Sequence, residues 1–307
     1  MRRAPTVPVE PLSEEQIAAL PLYEWDVAEV GDASPPLTYV VTAASILDYC
    51  AAVRNDNPIY VDGSIAPPTY AFKCAPLRRN EVMHAKGYAS PEEKGDRATP
   101  YAKSELFFQR PIRAGDEITS VVRLEEKYER RGSQFMTWRC QAHDAHGDLV
   151  VEYTYTIIWR QAPRDPNAPP SPPPQAAPLV GEPLPTITKV ESQEAIDRYA
   201  ELTRIRPRRG QNLHTNPEFA RRTIFGGTVN MGVATAAYCS EVLERAFGPH
   251  ALLKPGARLE YKGIRPIRAG YEIEVGGVSD GDGRCELQVV KLGDRGLLGV
   301  ATATVIL

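Results

Sequence analysis

Residues 110–115 and 265–270 spell the same hexamer, RPIRAG, and in both places one residue separates it from a Glu-Ile pair, Glu117-Ile118 and Glu272-Ile273. Identity of this kind in matching context within one chain marks a duplicated unit. Outward from the hexamers the match continues as pattern. An aromatic-containing strand pattern precedes each, SELFFQRPI in the first copy and ARLEYKG in the second. Runs of alternating apolar and polar residues follow: EITSVVRLEEKYER, SQFMTWRCQAHDA and DLVVEYTYTIIW, then YEIEVGGVS, RCELQVVKL and LLGVATATVIL. Period-2 alternation with Gly or Asp at the breaks predicts antiparallel strands, with hairpin turns at Arg131-Gly132 and His146-Gly147-Asp148.

Ahead of the strands each copy opens with a short strand and a helix. LTYVV (37–41) leads through Thr42 into AASILDYCAAV, where Ile46, Leu47, Cys50 and Val53 recur at helical spacing. TITKV (186–190) leads into EAIDRYAEL. The first copy then carries the loop RNDNPIYVD (54–62) and PPTYAFKCAPLRRNEVMHA, read as a helix entered through prolines. The second carries VNMGVATAAYCSEVLERAF (229–247), apolar nearly all round and therefore expected to be buried on most sides. This is an α+β layout, a long central helix packed on the concave face of a curved antiparallel sheet, made twice.

The boundaries follow. Residues 1–36 are an N-terminal extension with a short helix at Ser13–Leu20 begun by a Ser-x-x-Gln cap, 37–160 the first domain, 161–185 a linker and 186–307 the second domain. The linker holds ten prolines and no hydrophobic periodicity, which describes a stiff spacer of polyproline II character. A PxxP ligand in PSPPPQAAP is the rival reading, and the spacer explains the composition without a partner.

A net charge of −3 gives no basic field of the kind nucleic acid requires, so nucleic acid is not an expected partner. Five cysteines without a CxxC pair read as reduced, packed thiols with no zinc site. The first 25 residues lack the apolar region of a signal peptide, and no run of about 18 apolar residues would span a membrane. The expected location is the cytoplasm.

The chemistry-bearing stretch is RRGQNLHTNPEFARRTIFGGTVNMG, residues 208–232. It places His214 ahead of an Asn-Pro-Glu turn, a Gly226-Gly227 pair and the small-residue start of the central helix, so an imidazole faces a set of backbone N–H donors. A satisfied structural histidine is the plainer alternative. Arg209 is either a clamp for a substrate carboxylate or phosphate, or a solvated arginine of a basic loop. Arg204, Arg206 and Arg208, with Arg221 and Arg222, either meet phosphates or form a solvated face balanced by Glu201 and Glu218. His84, His143, His146 and His250 read as surface positions, and Gly293-x-x-Gly296-x-x-Gly299 as a hairpin.

With the repeat, the central helix and the histidine loop in hand, the chain resembles the MaoC-like hydratase/dehydratase family in its double hotdog form, over residues 37–160 and 186–307. Tyr199–Leu202 (YAEL) and Leu213–Ala220 (LHTNPEFA) match the ends of the family loop, and RPIRAG matches its strand motif in both halves. The resemblance implies a catalytic C-terminal half and an N-terminal half that shapes the acyl tunnel. It implies addition or removal of water on an acyl thioester of CoA or acyl carrier protein, interconverting trans-2-enoyl and (R)-3-hydroxyacyl forms, with no cofactor or metal. On that pattern His214 is the acid–base imidazole, suited to the task because imidazole titrates near pH ~6.5. The Gly232 N–H receives the thioester oxygen. Ser240, Asn212, Gly227 and Arg208 fall where substrate would be held, and a homodimer is expected.

The chain departs from the pattern at one decisive place. The family aspartate lies five residues before its histidine, which lands on Arg209, or on Ile205 when counted forward from Tyr199. The first-half loop keeps Asn57-Pro58-Ile59 but has Asn55 for the aspartate and Tyr60 for the histidine. Three readings follow: Glu201 or Glu218 replaces the carboxylate; the pocket serves another elimination, isomerisation or cyclisation; or the chain is a non-catalytic acyl-binding subunit of a hetero-oligomer.

Overall fold

A computed structural model describes residues 12–163, 172–203 and 212–307. Strand β3 (Glu117–Arg130) shows how the alternation works: Ile118, Ser120, Val122 and Leu124 are fully buried and the residues between them are not. It turns into β4 (Ser133–His143) through Arg131 and Gly132, both at positive φ (51° and 73°), the backbone that a two-residue hairpin turn demands. β4 pairs with β5 (Leu149–Arg160), and β5 with β2 (Tyr101–Phe108). β1 (Leu37–Val40) closes the outer side of β3.

The second copy repeats the arrangement with β8 (Arg258–Gly263), β9 (Glu272–Ser279), β10 (Arg284–Lys291) and β11 (Leu297–Thr304); β6 (Glu182–Pro183) and β7 (Ile187–Val190) pair with β9. Among the described residues the strands form a single sheet, ordered β1-β3-β4-β5-β2-β8-β11-β10-β9-β6. The join is β2 against β8, antiparallel, with Leu106 opposite Leu259 and Ser104 opposite Tyr261, all four side chains buried. The RPIRAG hexamers lie just beyond β2 and β8 as turns. Each inserts its isoleucine, Ile112 or Ile267, into the core and ends on a glycine at positive φ, Gly115 (94°) or Gly270 (88°).

The helices form where the caps said. α1 (Glu14–Ala19) starts from a reciprocal Ser13–Gln16 capping box, and α2 (Ala43–Val53) from one between Thr42 and Ser45. α5 (Gln193–Leu202) is capped by Ser192. The central helix of the second half, α7 (Gly232–Phe247), is buried without interruption from Val233 to Glu244. It packs on β2, β8 and β9, on α2, and on Pro68–Tyr70 of the first half.

Two expectations need correction, and the linker makes contacts of its own. The single helix expected over 67–85 is broken into a 3-10 turn at Pro68–Tyr70, α3 (Ala71–Cys74) and α4 (Arg79–Ala85). Pro76 lacks an N–H and excludes helical backbone at Ala75, which sits at φ −131°, ψ 66°. The histidine loop holds a short helix of its own, α6 (Pro217–Arg222), because Asn216 caps it by accepting from Phe219 N and proline fits the first turn. The later part of the linker is stitched to the second half: Leu297 N donates to Pro174 O (2.9 Å), Ala176 N to Arg295 O (3.2 Å), and Gln288 Nε2 to Ala177 O (2.9 Å).

Candidate functional site

The second-half loop is built around His214. Asn212 Oδ1 accepts the His214 backbone N–H (2.8 Å), and Gln193 of α5 donates from Nε2 to His214 O (2.9 Å). Gln193 Oε1 in turn accepts from Thr228 Oγ1 (2.5 Å), so α5 ties both ends of the loop. The ring is held by Val229, whose carbonyl lies 2.7 Å from Nδ1. A carbonyl only accepts, so Nδ1 carries the proton and the basic lone pair of the neutral ring sits on Nε2. Val229 is itself fixed by a bridge to Arg268, just after the second hexamer's Ile267, whose carbonyl accepts from Asn230 N (2.8 Å).

α7 begins two residues after Asn230 with no side chain capping it, so its first N–H groups are those of a bare helix start. Gly232 is required there for a separate reason: a Cβ would meet the Tyr101 ring at 2.4–2.7 Å. Tyr101 crosses from β2, stacks on Tyr261 at 6.0 Å, and donates from its hydroxyl to Tyr261 O (2.9 Å). The join between the halves therefore also sets the position of the helix start.

Gly227 lies in the turn before α7, where an added Cβ would stand 3.8 Å from Arg268 Nη1. Glu201 and Glu218 are exposed, at the ends of α5 and α6. Arg204, Arg206, Arg208 and Arg209 lie outside the described residues. Ser240 is fully buried, but its Oγ donates to Glu244 Oε1 (2.6 Å), and helical rise separates it from Gly232 by about 12 Å along the axis.

That contact leads to the first-half loop, which the sequence reading set aside. Asn57 Oδ1 accepts from Ile59 N (3.2 Å) and starts the 3-10 turn Pro58–Tyr60. The turn aims Tyr60 at Glu244, with OH to Oε2 at 3.0 Å, and Asn55 Nδ2 donates to the same oxygen at 2.9 Å. The residues standing for the family's aspartate and histidine thus grip a carboxylate of the other half's central helix. Burial holds the Glu244 carboxyl above the usual carboxylate range, with the bonds from Ser240, Asn55 and Tyr60 pulling the other way. Burial, reinforced by the Glu244 charge, pushes the Cys50 thiol up to about 12.

A second cluster lies beside it. Arg54 donates to Val190 O (2.5 Å), Glu191 Oε1 (2.6 Å) and Tyr238 OH (2.5 Å), and Lys189 pairs with Glu241 Oε2 (2.7 Å). Glu191 and Glu241 are each 1% exposed. The signal available in the sequence was Glu241 and Glu244 themselves, carboxylates within an otherwise apolar helix that must find partners wherever it is enclosed. Among the described residues no three His, Cys, Asp or Glu side chains converge as metal ligands would, and no helix is long and apolar enough to cross a membrane.

Comparison with known proteins agrees with this architecture. The family described as the FAS1-like dehydratase domain region matches residues 28–153, the half opposite the His214 loop. A UPF0336 protein of Mycobacterium tuberculosis is 32% identical over 137 residues, 42% of this chain and 85% of that protein. A solved MaoC-like dehydratase superposes with a TM-score of 0.71 at 16% identity, covering 91% of this chain and 99% of its own. A protein of M. tuberculosis described as having a double hotdog fold superposes with a TM-score of 0.62 at 13% identity, covering 92% of this chain and 97% of its own. The duplicated sheet, the enclosed helix and the two loops, taken with the solved structures, make the chain a double hotdog protein, and its 32% identity over 85% of the M. tuberculosis relative makes it a member of the UPF0336 family.

Proposed function

We propose that the chain is a hydro-lyase that interconverts trans-2-enoyl and 3-hydroxyacyl thioesters at the His214 loop. The observation that supports the reading is the 2.7 Å contact from His214 Nδ1 to Val229 O, three residues ahead of α7, which puts the neutral ring's basic lone pair on Nε2. In the dehydrating direction Nε2 takes the proton from C2. The C3–O bond breaks as the C2=C3 bond forms, and the imidazolium returns its proton to the departing oxygen, so water leaves and the neutral ring is restored. The first N–H groups of α7 receive the thioester oxygen as it gains negative charge. Such a one-base route does not need the carboxylate that the loop lacks, and it agrees with the exposed positions of Glu201 and Glu218.

The test is hydration of crotonyl-CoA and longer trans-2-enoyl-CoAs, followed at the enoyl thioester absorbance. The parent protein turns these over, and His214→Ala lowers the rate by about 10² to 10⁴. Absence of turnover across the series by folded parent protein overturns the reading.

A further inference from the structure

The duplication supplies an internal comparison at the fourth residue of each hexamer, Arg113 and Arg268. Their backbones are placed alike. Arg113 bridges Ile65 and Arg268 bridges Val229, and one residue further Ala66 N donates to Ile112 O (2.9 Å) as Asn230 N donates to Ile267 O (2.8 Å). Their side chains part company. Arg113 is exposed, and its guanidinium makes no hydrogen bond among the described residues. Arg268 is half-buried: its Nη2 donates to Phe225 O, and its Nη1 would stand 3.8 Å from a Cβ added at Gly227. One residue therefore holds the loop ahead of α7 at two points, Phe225 through its side chain and Val229 through its backbone. Between those points lie Gly226, at φ 63°, and Gly227, so the loop has little stiffness of its own to place Val229. The carbonyl so placed is the one that lies 2.7 Å from His214 Nδ1.

We infer that Arg268 is a positioning residue for His214: by tying Phe225 O it keeps the Val229 carbonyl against Nδ1 and so fixes which ring nitrogen carries the proton. The inference rests on the reading of His214 as the acid–base group and deepens it. A neutral imidazole has two tautomers, and the bond made by one nitrogen decides between them. With the acceptor displaced, both tautomers are populated and the fraction with its basic lone pair on Nε2 falls. The loss then appears in kcat and not in KM, because binding does not draw on the tautomer. The first half has no imidazole to set, since Tyr60 stands in the histidine's place, and there the same arginine of the same hexamer is left to solvent.

The experiment is nitrogen-15 NMR of the ligand-free full chain with labelled histidine, at a pH where the ring is neutral, read beside kcat and KM on crotonyl-CoA. His214 is identified by the signals missing from His214→Gln. The parent carries the proton on Nδ1. Arg268→Met, which keeps the aliphatic stem and loses the donor, shows both tautomers and lowers kcat by about 10 to 10², with KM within about twofold. Arg268→Lys, which keeps a donor, recovers most of both, and Arg113→Met matches the parent. Arg268→Gln, too short to reach Phe225 O, replaces Arg268→Met should that variant not fold, with the same result expected. A parent with its proton on Nε2 overturns the inference, as does an unchanged Nδ1 tautomer in the Arg268 variants. An equal change in Arg113→Met also overturns it, since that is what general loosening of the hexamer turns produces. Absence of turnover by folded parent overturns the hydro-lyase reading alone, and the tautomer of the ligand-free chain still decides whether Arg268 sets the ring.

Discussion

Asn55 of the first half donates from Nδ2 to Glu244 Oε2 of the second over 2.9 Å, in a cluster closed on all sides. Glu244 accepts three hydrogen bonds there, so Glu244→Ala orphans Asn55, Tyr60 and Ser240 together and costs about 3–5 kcal/mol. Glu244→Gln keeps an acceptor for Asn55 and Tyr60 and offers Ser240 a donor, so it costs less. The pH dependence has a definite sign. An acid whose folded value is raised binds its proton more tightly when folded, so its contribution is full below the unfolded value of about 4.3 and is lost as pH rises through the folded value. Denaturant midpoints taken from about pH 4 to about pH 8 should move in favour of Glu244→Gln relative to the parent. A constant difference over that range would count against the raised carboxyl.

The Arg54 cluster is a separate fastening between the halves. Arg54→Ala leaves Glu191, 1% exposed, without its cation and is expected to cost about 3 kcal/mol. Glu191→Ala in the same background recovers part of that loss. A double-mutant cycle on unfolding free energies should give a coupling of about 1–3 kcal/mol, and additive effects would show that the pair contributes nothing of its own.

At the start of α7, Gly232→Ala drives a methyl group into the Tyr101 ring. The expected loss is about 1–3 kcal/mol, visible as a lower Tm together with reduced turnover, because the helix start shifts when the ring yields. Tyr101→Leu added to Gly232→Ala restores part of the Tm. A double variant no more stable than Gly232→Ala alone would show that the crowding lies elsewhere.

The two hexamers are identical, but the residue that follows each has diverged. Arg110 donates from Nη1 to Asp116 Oδ2 (2.8 Å), whereas the matching residue after the second hexamer is Tyr271, and Arg265 Nη1 is buried with no hydrogen-bond partner among the described residues. Arg110→Ala should therefore destabilise more than Arg265→Ala, by about 1 kcal/mol in chemical denaturation. Equal losses would mean that both arginines act only through packing.

What could be read from the sequence was local. The hexamer repeats because its turn geometry lies within a few residues, and Thr42 and Ser13 announce their helices through bonds to residues three positions on. The break at Pro76 was equally local and was missed only because apolar periodicity runs across it. Glu244 was beyond reach for a different reason: its partners Asn55 and Tyr60 belong to the other half, brought to it only when α7 is enclosed. Likewise His214 stands out by its motif, whereas its tautomer depends on the Val229 carbonyl, placed by the bridge to Arg268.

The join of β2 to β8 has a consequence during synthesis. When the first half leaves the ribosome, β2 is an open edge, and the strand that will cover it, Arg258–Gly263, is translated only after the whole of α7. An uncovered edge recruits other chains unless charge interrupts it. Lys103 and Glu105 stand on that edge and later find opposite charges on the covering strand, Lys103 at Glu260 and Glu105 at Arg258. The same side chains that keep the waiting strand apart from strangers thus help admit the one strand encoded to follow it.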